Sequence, residues 1–420
     1  MSVKNAFYAQ SGGVTAVINA SACGVIQTAN KHKDKIGTVF AGQNGIIGAL
    51  TENLIDTSKE SDADIAKLMH TPSGAFGSCR YKMKSLEENK EEYDRLIEVF
   101  KAHNIGYFFY NGGGDSADTC LKVSQLSEKM GYPIQAIHVP KTIDNDLPIT
   151  DNCPGFGSVA KYIAVSTREA SFDVASMAES STKVFVIEVM GRHAGWIAAA
   201  GALAADEDND IPVIVLFPEV KFDQDKFIAL VDQKVKSHGY CSVVVSEGVA
   251  WPDGKFLAEQ GTRDNFGHAQ LGGAAPVVAN IVKQELGYKF HWAVADYLQR
   301  SASHIASKTD VEQAYALGEA AVELAIAGEN SVMPAIIRTS NNPYQWEIQS
   351  SNLSKVANVE KMMPAEYISE DGFGITPACR EYLLPLIEGE SYPPYKNGLP
   401  DYVTLKKHLV AKKLSEFELK

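Results

Sequence analysis

Short apolar runs alternate with longer amphipathic stretches along the first 250 residues of the chain. This alternation is typical of parallel strands joined by crossover helices in an open sheet. Several of the runs are apolar throughout, as expected for strands that helices cover on both faces. The runs predicted as strands are Ala6–Gln10, Thr38–Gly42, Tyr107–Asn111, Ile134–Pro140, Val184–Met190, Val213–Phe217 and Ser242–Ser246.

The amphipathic stretches between these runs predict helices. They are Ala16–His32, Leu86–His103, Ser116–Met130, Trp196–Ala205 and Gln224–His238, with two longer stretches near Pro276–Leu286 and Val311–Gly328. The predicted fold class is α/β, with two doubly wound, Rossmann-like lobes and mostly parallel sheets.

The segment Asp144–Gly157 is rich in proline and glycine, and we expect the hinge between the two lobes there. Residues 1–150, with part of 300–350, are expected to form one lobe, and residues 151–300 the other. A Tyr/Pro-rich stretch at 343–420 is interpreted as a C-terminal extension of unknown role.

Composition narrows the class of protein. The chain has 420 residues, of which 45% are hydrophobic and 22% charged, as in ordinary globular proteins. A formal net charge of -13 argues against a nucleic-acid binder or a protein of acidic membranes. The six cysteines are scattered, and no window is apolar enough to span a bilayer. We therefore expect a soluble, cytoplasmic protein with reduced thiols.

The first strand ends in the segment 10–15 (QSGGVT), directly before a predicted helix. Gly12 and Gly13 would let backbone N–H groups face a phosphate where the helix dipole favours negative charge. Ordinary turns share this pattern, so the segment indicates a phosphate site only in combination with others.

A second glycine-rich loop, 110–116 (YNGGGDS), also follows a strand and precedes a helix. Three consecutive glycines carry an entropic cost, which favours close approach of a ligand to Gly113 and Gly114 over a plain tight turn. Asp115 would repel an anion there unless a cation lies between them, and Mg²⁺ is the expected bridge.

The third loop, 140–146 (PKTIDND), places two carboxylates and a lysine at the carboxyl end of a strand, where open α/β sheets bind ligands. One carboxylate could act as general base toward a hydroxyl while the other helps to hold a metal, and Lys141 would offset charge on a transferred group. The alternative is a polar turn with Asx caps.

In this order the three loops resemble the phosphofructokinase family, whose marks are an early Ser-Gly-Gly turn, a glycine-rich donor loop and a Thr-Ile-Asp-Asn-Asp segment. The resemblance continues with Met190-Gly191-Arg192, with Glu247, and with Tyr297-Leu298-Gln299-Arg300. It covers about Ala6 to Ser301, and the combination of segments is more specific than any one of them.

The resemblance implies roles around the reacting atoms. Asp144 would be the base that takes the proton of a sugar's 1-hydroxyl, with Thr142 and Ile143 contacting the substrate beside it and Asp146 close to the metal. Lys141 would stabilise the transition state.

It also implies the binding residues. Gly12, Arg80, Gly113 and Gly114 would bind the donor. Met190, Gly191 and Arg192 would hold the sugar, with Arg192 also catalytic, and Glu247 would accept from a sugar hydroxyl. Tyr297 and Arg300 would clasp the 6-phosphate.

Taken alone, several of these side chains also have structural interpretations. Glu247 could be a salt-bridge partner at a strand end and Arg80 a solvated surface arginine. His193 and His304 lie beside matched segments, but a histidine there is expected to pack or cap, and neither is placed in the catalytic set.

Two replacements favour pyrophosphate as the donor. ATP-using members have glycine where this chain has Asp115 and Lys141. An Asp115 carboxylate would repel a nucleotide's α-phosphate and fill its space, whereas pyrophosphate has none. Gly114 stands where most members have an aspartate associated with Mg²⁺, so metal ligation is assigned to Asp115 or Asp146 without a choice between them.

The resemblance therefore predicts reversible transfer from pyrophosphate to fructose 6-phosphate, a step of glycolysis and gluconeogenesis. The alternatives are an ATP-dependent phosphofructokinase, a related kinase of a dinucleotide or lipid, and a non-catalytic sugar-phosphate sensor. In family members a neighbouring subunit completes the site, so we expect a homo-oligomer, with a dimer favoured. Lys183 takes a place where many relatives have arginine.

Overall fold

The computed structural model describes residues 3–81, 83–84, 88–263 and 269–419. Its strands are β1 (Lys4–Ser11), β2 (Ile36–Gly42), β3 (Leu54–Asp56), β4 (Ser78–Cys79), β5 (Ile105–Gly112), β6 (Gln135–Pro140), β7 (Val184–Val189), β8 (Val213–Leu216), β9 (Cys241–Ser246), β10 (Glu259–Arg263), β11 (Ala269–Leu271), β12 (Phe290–Val294), β13 (Val332–Asn341), β14 (Tyr344–Asn352), β15 (Tyr395–Lys396) and β16 (Leu399–Pro400). Its α-helices are α1 (Ile18–Lys31), α2 (Ile46–Leu50), α3 (Asp62–Lys67), α4 (Lys90–Ala102), α5 (Gly114–Lys129), α6 (Phe156–Met177), α7 (Trp196–Gly201), α8 (Gln224–His238), α9 (Ala274–Leu286), α10 (Asp296–Ser301), α11 (Lys308–Ile326) and α12 (Pro377–Leu383).

The larger sheet has the strand order β14-β13-β6-β5-β1-β2-β3, with the short strand β4 paired to β1. Its central strands run parallel, from β13 through β6, β5 and β1 to β2, and an antiparallel strand lies at each edge. The buried rings of Phe7, Phe100 and Phe108 pack together on one face of this sheet. Because β1, β5 and β6 are neighbours, the loops that follow them lie side by side at one edge.

The smaller sheet has the order β12-β7-β9-β8, and all of its strand pairs are parallel. Its core on one face includes Trp196 and Tyr382, whose rings lie 5.2 Å apart. The ends of β7, β9 and β12 carry the second group of predicted site residues.

The predicted fold class is confirmed, since both sheets are mostly parallel and are covered by helices. All seven predicted strands and all seven predicted helical stretches are present, with ends shifted by a few residues. The predicted start of the second helix at residues 86 and 87 lies outside the described residues, and α4 begins at Lys90.

One long helix was missing from the predicted elements. The 22-residue helix α6 begins at Phe156, inside the stretch interpreted as a proline- and glycine-rich hinge. Its N-cap residue, Gly155, has a φ of 106° and no capping side chain of its own, so no local start signal was visible.

The stretch after residue 343 is part of both hydrophobic cores. Strand β14 pairs with β13 along its length, and Leu353 and Val356 are buried beneath the larger sheet. Farther along, Met363 and Leu383 are buried in the core of the smaller sheet. In the described part of the chain, no helix combines the length and apolar character needed to cross a bilayer.

Candidate active site

A cleft of about 750 Å³ opens where the carboxyl ends of strands from both sheets face each other. Of the residues predicted for the site, all except Gly191 line this cleft. The three loops and the later segments, which are far apart in the sequence, are therefore brought together in one cavity.

The Ser-Gly-Gly turn after β1 has its conformation fixed by glycine. Gly12 has a φ of 75°, and its N–H donates to the carbonyl of Cys79 at 2.9 Å. At Gly13, a Cβ atom would lie 3.2 Å from a guanidinium nitrogen of Arg300 and 3.6 Å from one of Arg80. Two arginines thus converge on this turn, which gives it the charge needed to hold an anion.

The glycine-rich loop after β5 has two kinds of glycine. A Cβ atom on Gly112 would lie 2.0 Å from the hydroxyl of Ser116, so packing alone requires glycine there. Apart from chain neighbours and the backbone of α5 itself, no atom of the described residues lies within 4 Å of that position at Gly114, and at Gly113 only the Lys141 carbonyl does, at 3.8 Å. The exposed backbone at 113–114 is open to a ligand, at the start of α5 where the helix dipole favours an anion.

The loop after β6 turns sharply between its two aspartates. Asn145 has a φ of 56°, in the left-handed region that asparagine tolerates better than most residues. Its buried side chain donates to the hydroxyl of Tyr382 at 2.8 Å and accepts from the N–H of Cys153 at 2.9 Å. With Asn145 facing inward, Asp144 and Asp146 on either side both face the cleft.

The environment of these carboxylates favours their protonated forms. Burial raises the pKa of Asp144, although a hydrogen bond from Thr142 and the charge of Lys141 oppose the rise. Asp144 is half-buried and lines the cleft. Burial, and then the nearby carboxylates of Asp144 and Glu360, raise the pKa of Asp146 to about 7. A base with a raised pKa is suited to accept a proton near neutral pH.

Lys141 joins the third loop to the first. Its ammonium group is almost fully buried and donates to the carbonyls of Ser11 and Gly13, each at 2.7 Å. Burial lowers the pKa of this lysine to about 8. The charge therefore lies directly beneath the turn on which Arg80 and Arg300 converge.

On the opposite wall of the cleft, Gly191 has a structural role. Its φ is 120°, and a Cβ atom would lie 2.7 Å from the carbonyl of Ala194. Gly191 does not line the cleft, but its N–H donates to the carboxylate of Glu247. Its conformation places its neighbours Met190 and Arg192 in the cleft wall.

Glu247 follows β9 and faces the cleft beside Arg192. Burial and the Asp144 carboxylate raise its pKa to about 7, while the Arg192 charge opposes the rise. The next residue, Gly248, approaches the backbone of Arg192 so closely that a Cβ atom would lie 1.9 Å from its carbonyl oxygen. This contact fixes the two strand ends against each other.

Tyr297 and Arg300 lie on the short helix α10, with the guanidinium 3.8 Å from the centre of the tyrosine ring. The same guanidinium reaches the Ser-Gly-Gly turn at Gly13, a position that the sequence did not predict. Gln299, quoted in the motif but given no role, is buried, and its side chain accepts from the N–H of Met190 at 3.3 Å.

Sequence reasoning missed several cleft residues. His193, which the sequence did not place in the catalytic set, lines the cleft, and its Nδ1 lies 3.3 Å from a carboxylate oxygen of Glu360. Proximity to the Met-Gly-Arg segment was a usable signal for His193, whereas Glu360 lies in the stretch that carried no readable motif. The remaining unpredicted members include Tyr81, Ser116, Thr119, Leu271 and Asp296.

The carboxylates are compatible with the expected Mg²⁺. Asp115 and Asp146 both line the cleft, and carboxylate oxygens suit this hard cation. Among the described residues, no three carboxylate, imidazole or thiol side chains are clustered closely enough to enclose an ion. The arrangement therefore fits a magnesium ion held by one or two carboxylates together with substrate phosphates, which is its usual mode in phosphoryl transfer.

Comparison with known proteins agrees with this geometry. The family model described as phosphofructokinase matches residues 5–325. The chain is 72% identical over 415 residues to the pyrophosphate–fructose 6-phosphate 1-phosphotransferase of Methylococcus capsulatus, covering 99% of each chain. It is 67% identical over 419 residues to the enzyme of the same name from Halomonas elongata, covering 100% of both.

A solved structure shows the same likeness in three dimensions. The crystal structure of the pyrophosphate-dependent phosphofructokinase from Nitrosospira multiformis superposes with a TM-score of 0.93 at 70% identity, covering 99% of this chain and 100% of that one. The resemblance to the pyrophosphate-dependent branch is confirmed, and the chain belongs to the phosphofructokinase family.

Proposed function

We propose that this protein catalyses reversible phosphoryl transfer from pyrophosphate to the 1-hydroxyl of fructose 6-phosphate, giving fructose 1,6-bisphosphate and phosphate. The observation that carries the proposal is a single cleft holding Asp144 between the Gly13 turn, with its two arginines, and the wall formed by Met190, Arg192 and Glu247. The names of the full-length relatives support the same activity. The reaction would belong to glycolysis and gluconeogenesis.

Asp144 is the proposed general base. The oxygen of the 1-hydroxyl attacks the terminal phosphorus of pyrophosphate, its proton passes to the Asp144 carboxylate, and the bridging P–O bond breaks to release inorganic phosphate. The reverse reaction returns the proton from Asp144 to the sugar oxygen. Arg192 and Lys141 supply positive charge to the transferred group, where charge develops in the transition state.

Binding is divided between the two walls. Gly12, Gly113 and Gly114 present backbone to the donor, and Arg80 pairs with its phosphate oxygens. Thr142, Ile143, Met190 and Gly191 shape the sugar site, and Glu247 accepts from a sugar hydroxyl. Tyr297 and Arg300 are the proposed partners of the 6-phosphate. Mg²⁺ held by Asp115 and Asp146 would neutralise phosphate charge when bound.

Donor choice depends on exclusion. Asp115 stands in the first turn of α5 and lines the cleft, where its carboxylate would meet the α-phosphate of a nucleotide. Lys141 offers positive charge beneath the Ser-Gly-Gly turn after β1. Pyrophosphate has neither an α-phosphate nor a nucleoside, so Asp115 does not repel it in this way.

An assay coupled to aldolase, with each donor offered separately, tests this proposal. We expect turnover with pyrophosphate and less than about one-hundredth of that kcat/KM with ATP. Comparable turnover with ATP would refute the donor assignment, and binding of fructose 6-phosphate without turnover would point to a sensor. The double variant Asp115→Gly with Lys141→Gly should lose most pyrophosphate activity, and a fully active double variant would refute the exclusion argument.

We propose that the donor lobe comprises residues 1–150 with part of 300–350, and the sugar-phosphate lobe residues 151–300. In support, the donor loops follow β1, β5 and β6 of the larger sheet, whereas the sugar residues follow β7, β9 and β12 of the smaller one. A cytoplasmic location stays a prediction of the sequence.

A homodimer is the proposed assembly. Strand β12 forms one edge of the smaller sheet and leaves Trp292 46% exposed, and α6 leaves Phe172 52% exposed. Exposed large apolar residues on an open sheet edge are typical of a contact surface. Size-exclusion chromatography with light scattering should give about twice the 45.5 kDa of one chain, and a strictly monomeric active species would contradict the assignment.

A further inference from the structure

The segment Asn358–Met363, called here the bridging segment, joins the two walls of the cleft. Asn358 donates to Asp118 of α5 at 3.1 Å, and the Lys361 carbonyl accepts from the indole N–H of Trp196 at 3.4 Å. Met363 is buried in the core of the smaller sheet. The family match ends at residue 325, so this segment lies outside the part of the chain that the family model describes.

Between its two anchors the bridging segment passes the catalytic loop 144–151 and bonds to it through Lys361. The backbone N–H of Lys361 donates to the carbonyl of Asp146 at 2.6 Å. Its ammonium group donates to the carbonyls of Thr150 at 3.1 Å and Asp151 at 2.8 Å. One residue thus holds both ends of the loop that carries Asp144 and Asp146.

The loop needs such support because its backbone is strained. Asn145 and Ile149 have φ values of 56° and 72°, and a β-branched residue such as Ile149 rarely adopts the left-handed region. Conformations of this kind persist only where the surroundings over-determine them. Tyr382 also supports the loop, since its hydroxyl accepts from the Asn145 side chain at 2.8 Å and donates to the Asp151 carbonyl at 2.7 Å, but neither Asp144 nor Asp146 lies in a helix or strand.

The lysine is an unusual choice for a purely structural contact. Its ammonium group is largely enclosed, lies 5.5 Å from the centre of the Trp196 ring, and bonds to carbonyl oxygens. Enclosing a charge is costly unless strong hydrogen bonds compensate, and charge-assisted bonds to two carbonyls supply them. The same bonds fix the loop with more stiffness than neutral contacts would.

We propose that Lys361 is a positioning residue, which holds the catalytic loop so that Asp144 meets the 1-hydroxyl of the sugar. The bridging segment then contributes to catalysis by supporting the catalytic loop. This inference rests on the proposed function, because it assigns Lys361 to the step in which Asp144 takes the proton. Misplacement of a catalytic group by about 1 Å can lower the rate by about 100-fold.

The test compares Lys361→Met with a matched control, Lys161→Met. Lys161 on α6 is also nearly buried and donates to a backbone carbonyl, that of Gly389 at 2.6 Å, but it does not line the cleft or contact the catalytic loop. We expect Lys361→Met to lower kcat by about 10- to 100-fold with both KM values within about twofold of the wild type. Lys161→Met should lower the melting temperature similarly and leave kcat within about twofold.

Two further variants keep the test decisive if Lys361→Met folds poorly. Lys361→Arg retains the charge and donors and should recover most of the lost kcat. Asn358→Gly keeps the left-handed backbone at a φ of 59° and removes only the bond to α5, so it should lower kcat by a smaller factor, about threefold.

Equal kcat in Lys361→Met and Lys161→Met would overturn the inference, and so would a loss confined to KM. If Lys361→Met is insoluble, an unchanged kcat in Asn358→Gly would overturn it as well. A wild-type protein that shows no turnover with pyrophosphate and fructose 6-phosphate would instead overturn the proposed function, which separates the two failures.

Discussion

At the scale of single residues, Lys141 shows how burial changes what a charge can do. In water a lysine remains charged far above neutral pH, but this one is enclosed beneath the Ser-Gly-Gly turn, with its ammonium group bonded to the carbonyls of Ser11 and Gly13. Burial lowers its pKa to about 8, and the nearby Asp144 carboxylate only partly opposes the shift. A small rise in pH above neutrality is therefore enough to remove the charge.

The first prediction follows from this shift. A lysine is charged below its pKa, so activity that needs the charge should be complete at neutral pH and fall as the pH rises through about 8. The quantity to measure is kcat/KM for pyrophosphate across the alkaline range, which reports the free enzyme. In Lys141→Arg the guanidinium stays charged, so the alkaline limb should disappear even if the rate is lower. An unchanged limb in this variant would assign it to another group.

The positions of Arg80 and Arg300 give a second prediction at this scale. Both guanidinium groups reach the Ser-Gly-Gly turn, the proposed donor site, but Arg300 also stacks on Tyr297 at the proposed 6-phosphate site. Arg300→Ala should therefore raise the KM values of both pyrophosphate and fructose 6-phosphate by about 10-fold or more, whereas Arg80→Ala should raise only that of pyrophosphate. Steady-state kinetics with each substrate varied separately distinguishes them. An effect of Arg300→Ala on one substrate alone would contradict the shared position.

At the scale of elements, the strands could be predicted because buried parallel strands appear as continuous apolar runs. The runs in β7 and β9 are bounded by turn residues, and their ends mark where ligands bind in an open α/β sheet. The strand pattern alone predicts a ligand site at each sheet end, and the resemblance to the phosphofructokinase family adds that Met190, Glu247 and the loop around Asp144 belong to one site.

Helix α6 gave a weak signal in the sequence for two physical reasons. Apolar residues recur at the helical period only over Phe156–Ala164, and the same buried face continues with the polar residues Thr167 and Ser171. Its N-terminus is capped by Asp310, which lies on α11 and accepts from the N–H groups of Gly155 and Ser158, each at 2.9 Å. A cap supplied from about 150 residues away leaves no local signal.

A third prediction tests this remote cap. Asp310→Ala leaves buried N–H groups without an acceptor, and we expect the free energy of unfolding to fall by about 2–3 kcal/mol. The matched control is Asp223→Ala, which removes an exposed local cap of α8 that accepts from the N–H of Lys226 at 3.1 Å. That change should cost only about 0.5–1 kcal/mol. Denaturant unfolding measures both, and equal losses would mean that the remote cap contributes no more than a surface one.

At the scale of the whole molecule, the end of the chain returns to the larger sheet. The N–H of Asp56 donates to the carbonyl of His408, and that of Val410 to the carbonyl of Leu54, each at 2.8 Å, so residues 408–410 cover the edge strand β3. None of this was predictable, because residues 401–419 form no regular element and their order depends on partners far away in the sequence. The same holds for Glu360, whose place in the cleft depends on the path of the preceding strands.

The carboxylate of Glu52 anchors this terminal stretch. It is fully buried and accepts from the N–H groups of Lys413 at 2.7 Å and Leu414 at 3.1 Å, as well as facing His103 at 2.7 Å. Burial alone would raise the pKa of Glu52, yet these hydrogen bonds lower it below its usual value. Folding therefore favours the charged form of Glu52. Its contribution to the free energy of unfolding should be present at neutral pH and lost in acid.

The last prediction isolates that anchor with two substitutions at one position. Lys413→Pro removes the N–H that donates to Glu52, whereas Lys413→Ala keeps it and removes only the side chain, whose ammonium group donates to Ala102. Because a buried charged acceptor then loses a partner, Lys413→Pro should be less stable than Lys413→Ala by about 1–3 kcal/mol at neutral pH, as measured by denaturant unfolding. The gap should narrow as the pH falls and Glu52 takes up a proton, since a neutral carboxyl needs fewer donors. Residue 413 does not line the cleft, so kcat should be the same in both variants below the unfolding transition. Equal stabilities at neutral pH would show that Glu52 holds the end of the chain through other contacts.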